Sequence, residues 1–377
     1  MTLLRPYRRY LWLGLLALLT SSLLMHLLSS GPADRSASEG RRLAPAPAPP
    51  SRVADLLTLP ESVDAYLNDH FGGRELVLAA HSYLRYLVRS PSSRRVAYGR
   101  EGWLFLADDD VLKQATGERR RTAVVEDLVG LLAEMAERLA REGRRFAVIV
   151  PPNTHTIYRD KLPPWAELPI GETEYDVFVA AAARAGLPTI DLRRPLRAAA
   201  RDAIVYHPTD THWNRLAALV AYNAVADLAG KPEWRIEPAE ALGPLQARPG
   251  GDLARFLGLN EVLEDVEFSL RIPDPVDRMV EFGDYEQPSY DAPGYGDGPT
   301  VLVIGDSFSH GMMRPFFAHN ASRVVWTHNR GCLFDWSEID RFQPAVVVFE
   351  IVERGLGWCA GNRPKNMPAR ASTAPPP

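Results

Sequence analysis

Three residues whose types together support acyl transfer stand where predicted secondary structure ends or begins. The run Val301-Leu-Val-Ile-Gly-Asp-Ser-Phe-Ser309 predicts a buried strand that ends at a glycine, with Ser307 just beyond it. In open α/β sheets, ligands bind at the carboxyl ends of the strands, and a helix start there favours a developing negative charge. A serine becomes a strong nucleophile when a histidine accepts its proton and a carboxylate orients that histidine. Asp210 and His212, in one loop before a predicted helix, supply such a pair.

The hypothesis depends on all three residues, because Gly-Asp-Ser is also common in ordinary strand–turn–helix joints. Asp210 and His212 cannot share a helix face, but in an irregular turn the carboxylate can reach Nδ1 of the imidazole. Other histidines near predicted strand ends have no carboxylate so close in sequence: His155, His207, His310, His319 and His328. We therefore predict a catalytic triad of Ser307, His212 and Asp210.

The elements that must position these residues alternate between helix and strand. Helical periodicity covers Thr122–Arg141, Glu174–Ala185 and the segment from Leu216 onwards. The predicted strands are Phe146–Val150, Leu187–Ile190, Val301–Ile304, Arg323–Thr327 and Ala345–Glu350. This order predicts an α/β fold of βαβ units with a mostly parallel sheet.

Two further regions are predicted around these units. Pro60 to Val88 shows helical periodicity, with a break expected at the paired glycines before Arg74, and Arg100-Glu-Gly102 predicts a hairpin turn. Residues 231–299 are rich in Pro, Gly and acidic residues, so we expect an irregular insertion that forms a lid or a substrate wall.

Composition limits the classes of function. A hydrophobic content of 46% and a charged content of 24% are typical of a globular protein. The net charge of −4 gives no electrostatic footprint for nucleic acid. Cys332 and Cys359 lack the spacing of a zinc site, and both a disulfide and two buried thiols remain open. We expect neither a metal nor a cofactor.

The first thirty residues carry a targeting signal. Arg5, Arg8 and Arg9 precede an uncharged span from Leu11 to Leu28, which favours an uncleaved membrane anchor whose N-terminus is cytoplasmic. A cleaved signal, with a weak site near residues 36–38, is the alternative. The predicted organisation is therefore an anchor (1–30), a Pro/Ala-rich linker (31–59), a periplasmic working domain (60–360) and a disordered tail (361–377).

Gly305-Asp-Ser-Phe308 resembles the nucleophile block of the SGNH, or GDSL-type, esterases and acetyltransferases. Asp210-Thr-His212 resembles their Asp-x-x-His block, shortened by one residue. The Asp/His block precedes the serine here, and this inverted order resembles the alginate O-acetyltransferases AlgJ and AlgX. The resemblance covers roughly residues 60–357 and extends to Asn68–Arg74, Gly99–Phe105 and Glu350–Arg354.

The resemblance implies an SGNH-like, circularly permuted, flavodoxin-like three-layer sandwich. It also implies acetyl transfer onto hydroxyls of an exported polysaccharide through an acetyl-serine intermediate. A membrane-bound O-acyltransferase partner would supply the acetyl groups. We expect no carbohydrate-binding module like that of AlgX after residue 360, and in that respect the sequence is closer to AlgJ.

Enzymes of this superfamily stabilise the oxyanion with the nucleophile's own N–H, a glycine N–H and an asparagine amide. Asn329, Gly331 and Asn153 are candidates because each follows a predicted strand, although Asn and Gly are also common in turns. Arg330 could bind a sugar carboxylate. Two other functions stay open: a carbohydrate esterase with water as acceptor, and a non-catalytic scaffold of a polysaccharide-export complex.

Overall fold

The computed structural model describes residues 10, 12–17, 20–21, 24, 42–52, 55–70, 72–88, 95–166, 171–284 and 287–368. The predicted anchor lies largely outside these residues, as do much of the predicted linker and the end of the predicted tail. Among the described residues, no helix combines the length and the apolarity needed to cross a membrane. The chain divides into two compact units, one of residues 1–91 with 252–263 and one of residues 92–251 with 264–377.

The helices of the described chain, apart from single 3₁₀ turns and residues before 55, are α1 (Asp55–His70), α2 (Arg74–Leu87), α3 (Val111–Thr116), α4 (Thr122–Arg141), α5 (Thr154–Ile157), α6 (Glu174–Ala185), α7 (Arg193–Ala199), α8 (Arg215–Leu228), α9 (Pro238–Ala241), α10 (Asp252–Phe256), α11 (Ser307–His310), α12 (Arg314–Asn320) and α13 (Ser337–Phe342). The strands are β1 (Val96–Tyr98), β2 (Leu104–Leu106), β3 (Arg145–Ile149), β4 (Leu242–Pro249), β5 (Glu264–Leu270), β6 (Val280–Asp284), β7 (Gln287–Pro293), β8 (Gly298–Gly305), β9 (Ala321–His328) and β10 (Val346–Glu350).

The first unit is built on α1 and α2. Gly73 separates the two helices in a left-handed conformation with φ of 81°, which confirms the predicted break. Helix α1 begins at Asp55, inside the region predicted as linker. The reason is local, because the Asp55 carboxylate accepts hydrogen bonds from the backbone N–H groups of Ser51 and Arg52 and so fixes the entry to the helix.

The second unit is organised around a six-stranded sheet with the order β3-β10-β8-β9-β7-β6. The first four strands are parallel, and β7 and β6 add an antiparallel edge, so the sheet is mixed. Alternate residues of β10 face two separate apolar clusters: Val346 and Val348 pack with α8 and α12, whereas Val347 and Phe349 pack with α4, α6 and α13. Helices therefore cover both faces of the sheet, and the carboxyl ends of the parallel strands share one edge.

Helices α4 and α6 have the predicted bounds. The predicted hairpin is also confirmed, because Glu101 and Gly102 have φ of 54° and 84° between the antiparallel strands β1 and β2. The predicted strand at Leu187–Ile190 is wrong, since only a single bridge joins Thr189 to Val148. Pro188 has no N–H to donate, which prevents a longer ladder there.

Residues 231–299 are not an irregular insertion. They contain the antiparallel pairs β4–β5 and β6–β7, and β7 continues the main sheet beside β9. Prolines at 288 and 293 interrupt the strand pattern of β7 in the sequence, and this explains why that strand was not predicted. Residues 252–263 of this region belong to the first unit.

The predicted disordered tail is ordered at its start. The Lys365 N–H donates to the Phe334 carbonyl, and the Trp336 N–H donates to the Lys365 carbonyl, so this stretch pairs with the domain. Cys332 and Cys359 form a disulfide with a Cα–Cα distance of 5.1 Å, which decides between the two alternatives left open by the sequence.

Candidate active site

Ser307 follows directly from the centre of the sheet. Asp306 is the N-cap of α11, and its Oδ1 accepts the N–H of Phe308 at 3.0 Å. Its Oδ2 accepts the N–H of Val352 at 2.8 Å, which ties the turn to the chain after β10. The backbone turn is thus fixed on two sides, while Ser307 is exposed between the buried residues Asp306 and Phe308.

Gly305 is required by space rather than by a left-handed backbone. Gly305 ends β8, and its φ is not positive. A Cβ at this position would lie 2.1 Å from Ser309 Oγ and 2.8 Å from Glu350 Oε2. The glycine therefore lets the strand end pack against these two side chains.

Glu350 supports the turn that carries Ser307. Its Oε2 accepts the N–H of Asp306 at 2.8 Å, and the side chain is fully buried at the end of β10. Burial and the neighbouring Asp306 carboxylate raise the pKa of Glu350 well above its usual range. This shift favours the neutral acid over the carboxylate. Although it lies in a segment matched by the family resemblance, the sequence suggested no role for it; an acidic residue at the end of an apolar strand was the available signal.

In the structure, the side chain of His212 lies between those of Asp210 and Ser307 and contacts both. The distance from His212 Nε2 to Ser307 Oγ is 2.8 Å, and that from His212 Nδ1 to Asp210 Oδ1 is 2.7 Å. The backbone N–H of His212 also donates to Asp210 Oδ1, at 3.0 Å. Asp210 therefore orients the imidazole through both its ring and its backbone, and the second ring nitrogen faces the serine hydroxyl.

Asp210 is held in its charged form. Burial opposes ionisation, but the hydrogen bond and positive charge of His212, together with His207, outweigh it and lower the pKa of Asp210 below its usual range. On the other side, Arg248 Nη2 lies 3.7 Å from Asp210 Oδ2. A carboxylate that stays ionised can stabilise the imidazolium that forms when His212 accepts a proton.

The β4–β5 hairpin supports the loop that carries His212. Asp265, at the start of β5, accepts hydrogen bonds from the backbone N–H and the hydroxyl of Thr209, and Gly251 donates its N–H to the same hydroxyl. A Cβ at Gly251 would lie 2.3 Å from Asp210 Oδ2. The chain after β4 is thus packed directly against the carboxylate, an arrangement that no local sequence pattern indicates.

A second set of contacts anchors the beginning of the same loop. His207 is buried, and its Nε2 lies 3.2 Å from Glu267 Oε2 and 3.2 Å from Arg248 Nη1. The arginine on β4 therefore reaches both His207 and Asp210. Sequence alone could not find this contact, because the partners come from different elements.

Trp213 joins the two halves of the site. Its indole N–H donates to the carbonyl of Phe308 at 2.9 Å, and the indole is completely buried. The Phe308 ring lies 5.0 Å from the imidazole of His212. Trp213 follows His212 in the sequence, and Phe308 follows Ser307. The hydrogen bond between Trp213 and Phe308 therefore sets the distance between the loop that carries His212 and the turn that carries Ser307.

Asn329 and Gly331 take part in a turn after β9. The amide of Asn329 donates to the Glu350 carbonyl at 2.9 Å, and its Oδ1 accepts the N–H of Gly331 at 3.1 Å. Arg330, between them, is left-handed with φ of 52°, and its N–H donates to His328 Nδ1. These contacts involve the side chain of Asn329 and only the backbones of Arg330 and Gly331, so the binding roles of the three residues stay predictions.

Asn153 differs from Asn329 in its side-chain contacts. Its Oδ1 accepts from Arg354 Nη1 at 3.4 Å, whereas its buried Nδ2 has no hydrogen-bond partner within the described chain. The guanidinium of Arg354 lies 5.1 Å from the centre of the Phe308 ring, beside Ser307. Asn153 therefore presents an unused donor in a network that reaches the nucleophile turn; Arg354 itself was not predicted.

A sheet with helices on both faces and an aligned Ser–His–Asp set at its carboxyl edge is the architecture of an SGNH hydrolase-like domain. The family described as "SGNH hydrolase-like domain, acetyltransferase AlgX" matches residues 96–331, which is more than half of the chain. The chain belongs to this family.

Similar proteins agree with this assignment. "Probable alginate O-acetylase AlgJ" of Pseudomonas syringae is 25% identical over 59% of this chain and 58% of the relative. The protein of the same name from Pseudomonas putida is 26% identical over 57% of this chain and 54% of the relative. The chain thus spans little more than half of the relatives it matches. The structure of Bacillus cereus PatB1 with a sulfonyl adduct shares the fold, with a TM-score of 0.50, 14% identity, and coverage of 70% of this chain and 96% of that chain.

Proposed function

We propose that this protein is an O-acetyltransferase that acts outside the cytoplasm on hydroxyl groups of a polysaccharide, with Ser307 as the nucleophile. The observation that carries the proposal is the continuous set of hydrogen bonds from Asp210 through His212 to Ser307. The family assignment supports acyl transfer as the reaction class.

In the first half-reaction, His212 Nε2 accepts the proton of Ser307 while Oγ attacks the acetyl carbonyl carbon of the donor. The tetrahedral intermediate collapses when the bond to the donor's leaving group breaks, and His212 returns the proton to that group. Ser307 then carries an acetyl ester. Throughout, the ionised Asp210 stabilises the imidazolium form of His212.

In the second half-reaction, a hydroxyl of the acceptor takes the position of the leaving group. His212 removes its proton, the acceptor oxygen attacks the acetyl-serine carbonyl, and the bond to Ser307 Oγ breaks as the serine regains a proton. We assign stabilisation of the two oxyanions to the backbone N–H of Ser307 and to the amide of Asn153. The unpartnered, buried Nδ2 of Asn153 supports this choice over Asn329.

The proposed location is the periplasm, at the inner membrane. The Cys332–Cys359 disulfide supports an oxidising compartment. The cationic N-terminus followed by the apolar span from Leu11 to Leu28 supports membrane anchoring. A membrane-bound O-acyltransferase that supplies acetyl groups is part of the proposal. Because the relatives are named alginate O-acetylases, alginate is the first acceptor to test.

The experiment that tests the function compares the acetyl group's two possible acceptors. The purified chain is given an activated acetyl ester with and without oligosaccharides of alginate, and acetyl-sugar and free acetate are both measured. We expect acetyl-sugar to form at the expense of acetate, and Ser307→Ala to abolish both products. Acetate alone, at a rate unaffected by any glycan, would instead identify an esterase; an undiminished Ser307→Ala variant would overturn the mechanism.

A further inference from the structure

Helix α2 exposes a continuous apolar stripe. Its members recur at helical spacing and are between 39% and 73% exposed: Leu76, Val77, Tyr83, Leu84, Leu87 and Val88. The opposite face, with Leu78, Ser82 and Tyr86, is half-buried. The exposed stripe therefore lies on the outer side of the helix, and contiguous exposed apolar surface of this kind marks an interaction site.

Basic residues border this stripe. Arg74 and Arg85 each stand three positions before a valine of the stripe, Val77 and Val88, and so lie beside it on the helix surface. Over residues 74–91, the part of the first unit that contains α2, the sequence has three arginines and one glutamate, whereas the whole chain has a net charge of −4. The positive charge is therefore local to the region of the exposed stripe.

We propose that α2 lies flat in the surface of an anionic lipid bilayer, with its leucines in the acyl boundary and its arginines at the phosphate level. Leucine and tyrosine on one side and arginine along the edge are the composition of an interfacial helix. Anionic headgroups complement the local arginine excess, whereas the net negative charge of the chain disfavours a second copy as the occupant. The inference rests on the proposed membrane location.

The length of the preceding chain permits this placement. Residues 29–54 connect the apolar N-terminal span to α1, and a chain of that length reaches at most about 90 Å. Anchoring of the span thus keeps α2 within reach of the same bilayer surface. A second contact with the membrane, through α2, would hold the first unit at the bilayer surface.

Hydrogen–deuterium exchange on the full chain tests the proposal. The chain is reconstituted in vesicles of phosphatidylcholine alone and in vesicles that also contain phosphatidylglycerol, and exchange is followed over residues 74–88. We expect exchange to be roughly tenfold slower with the anionic lipid, because insertion suppresses local opening of the helix, and the difference to shrink in high salt.

A double variant Leu84→Glu/Leu87→Glu should remove the slowing. Leu57→Glu is the matched control, because Leu57 is 85% exposed on α1, outside the stripe, and it should leave the slowing intact. Circular dichroism checks that both variants keep their helices. Equal exchange in the two vesicle types, or slowing that follows protein concentration rather than lipid charge, would overturn the proposal. Extraction with alkaline carbonate measures anchoring separately, so that a failure of the location is distinguished from a failure of α2.

Discussion

The turn that carries Ser307 is anchored in the six-stranded sheet, whereas the loop that carries His212 depends on a hairpin outside that sheet. On the serine side, Asp306 and the buried Glu350 connect β8 to β10 through hydrogen bonds to backbone N–H groups. On the histidine side, β4 and β5 supply Arg248 and Asp265 to the loop. The nucleophile is therefore positioned by the framework of the fold, and the base by a separate element.

The chemical character of the two supports also differs. Burial raises the pKa of Glu350, which supports the Ser307 turn, and a neutral acid there adds no charge beside a developing oxyanion. The acid beside His212 is ionised because its hydrogen-bonded partner lowers its pKa. The pKa values of two carboxyl groups of one site are thus shifted in opposite directions, and each shift suits its neighbour. Substitutions on the two sides should therefore fail in different ways.

The largest effect is expected on the histidine side, from Asp210→Asn. The amide is similar in shape but uncharged, so it can neither stabilise the imidazolium nor enforce the same tautomer. Turnover should fall by about 10⁴, the loss known for the corresponding change in a serine protease. Circular dichroism should show the fold intact. Steady-state rates with an activated acetyl ester provide the measurement, and a loss of less than about tenfold would mean that Asp210 does not perform this role.

On the serine side, the variants Glu350→Gln and Glu350→Ala should show whether Glu350 acts as a hydrogen-bond acceptor that needs no negative charge. Glutamine keeps an acceptor for the Asp306 N–H and is neutral like the native acid, so turnover should change little. Alanine removes the acceptor, loosens the turn, and should cost up to about 10² in turnover, the scale of a small misplacement of a reacting group. Equal losses in the two variants would contradict a positioning role.

The raised pKa of Glu350 also predicts that the free energy of unfolding depends on pH. Since the pKa of Glu350 is raised in the folded chain, the folded state keeps a proton that the unfolded state releases above about pH 4.3. The native protein should therefore lose stability as the pH rises from there towards neutrality, by up to about 1.4 kcal/mol per pH unit from this group. Glu350→Gln should lack this loss. Denaturant unfolding of the native protein and of Glu350→Gln at several pH values measures this loss. An equal loss of stability in the two proteins would contradict a raised pKa of Glu350.

The difference between the two sides also explains what the sequence could predict. The position of Ser307 was predictable because a strand, a glycine and a capping Asp306 are adjacent in the chain, and their geometry is local. Asp210 and His212 were recognisable as a pair for the same reason. Helix α6 has the bounds that its periodicity predicted, and local signals fix both ends, because Thr173 caps its start and Gly186 ends it.

The supports of the site could not be predicted, because their partners are far apart in sequence. Arg248 meets Asp210 only after β4 and β5 pair, and that hairpin lies in a segment whose prolines and acidic residues conceal strand periodicity. The choice between a disulfide and two thiols likewise required the distance between Cys332 and Cys359. The unused amide of Asn153 became visible only when the partners of neighbouring groups were known.

The most direct test of the central claim is mass spectrometry of the chain during turnover of an activated acetyl ester. We predict that rapid acid quenching traps one acetyl group on the peptide that contains Ser307, and that this label disappears faster when an acceptor polysaccharide is added. The Ser307→Ala chain should remain unlabelled. Turnover without acetyl on Ser307, or equal labelling of the Ser307→Ala chain, would contradict the account.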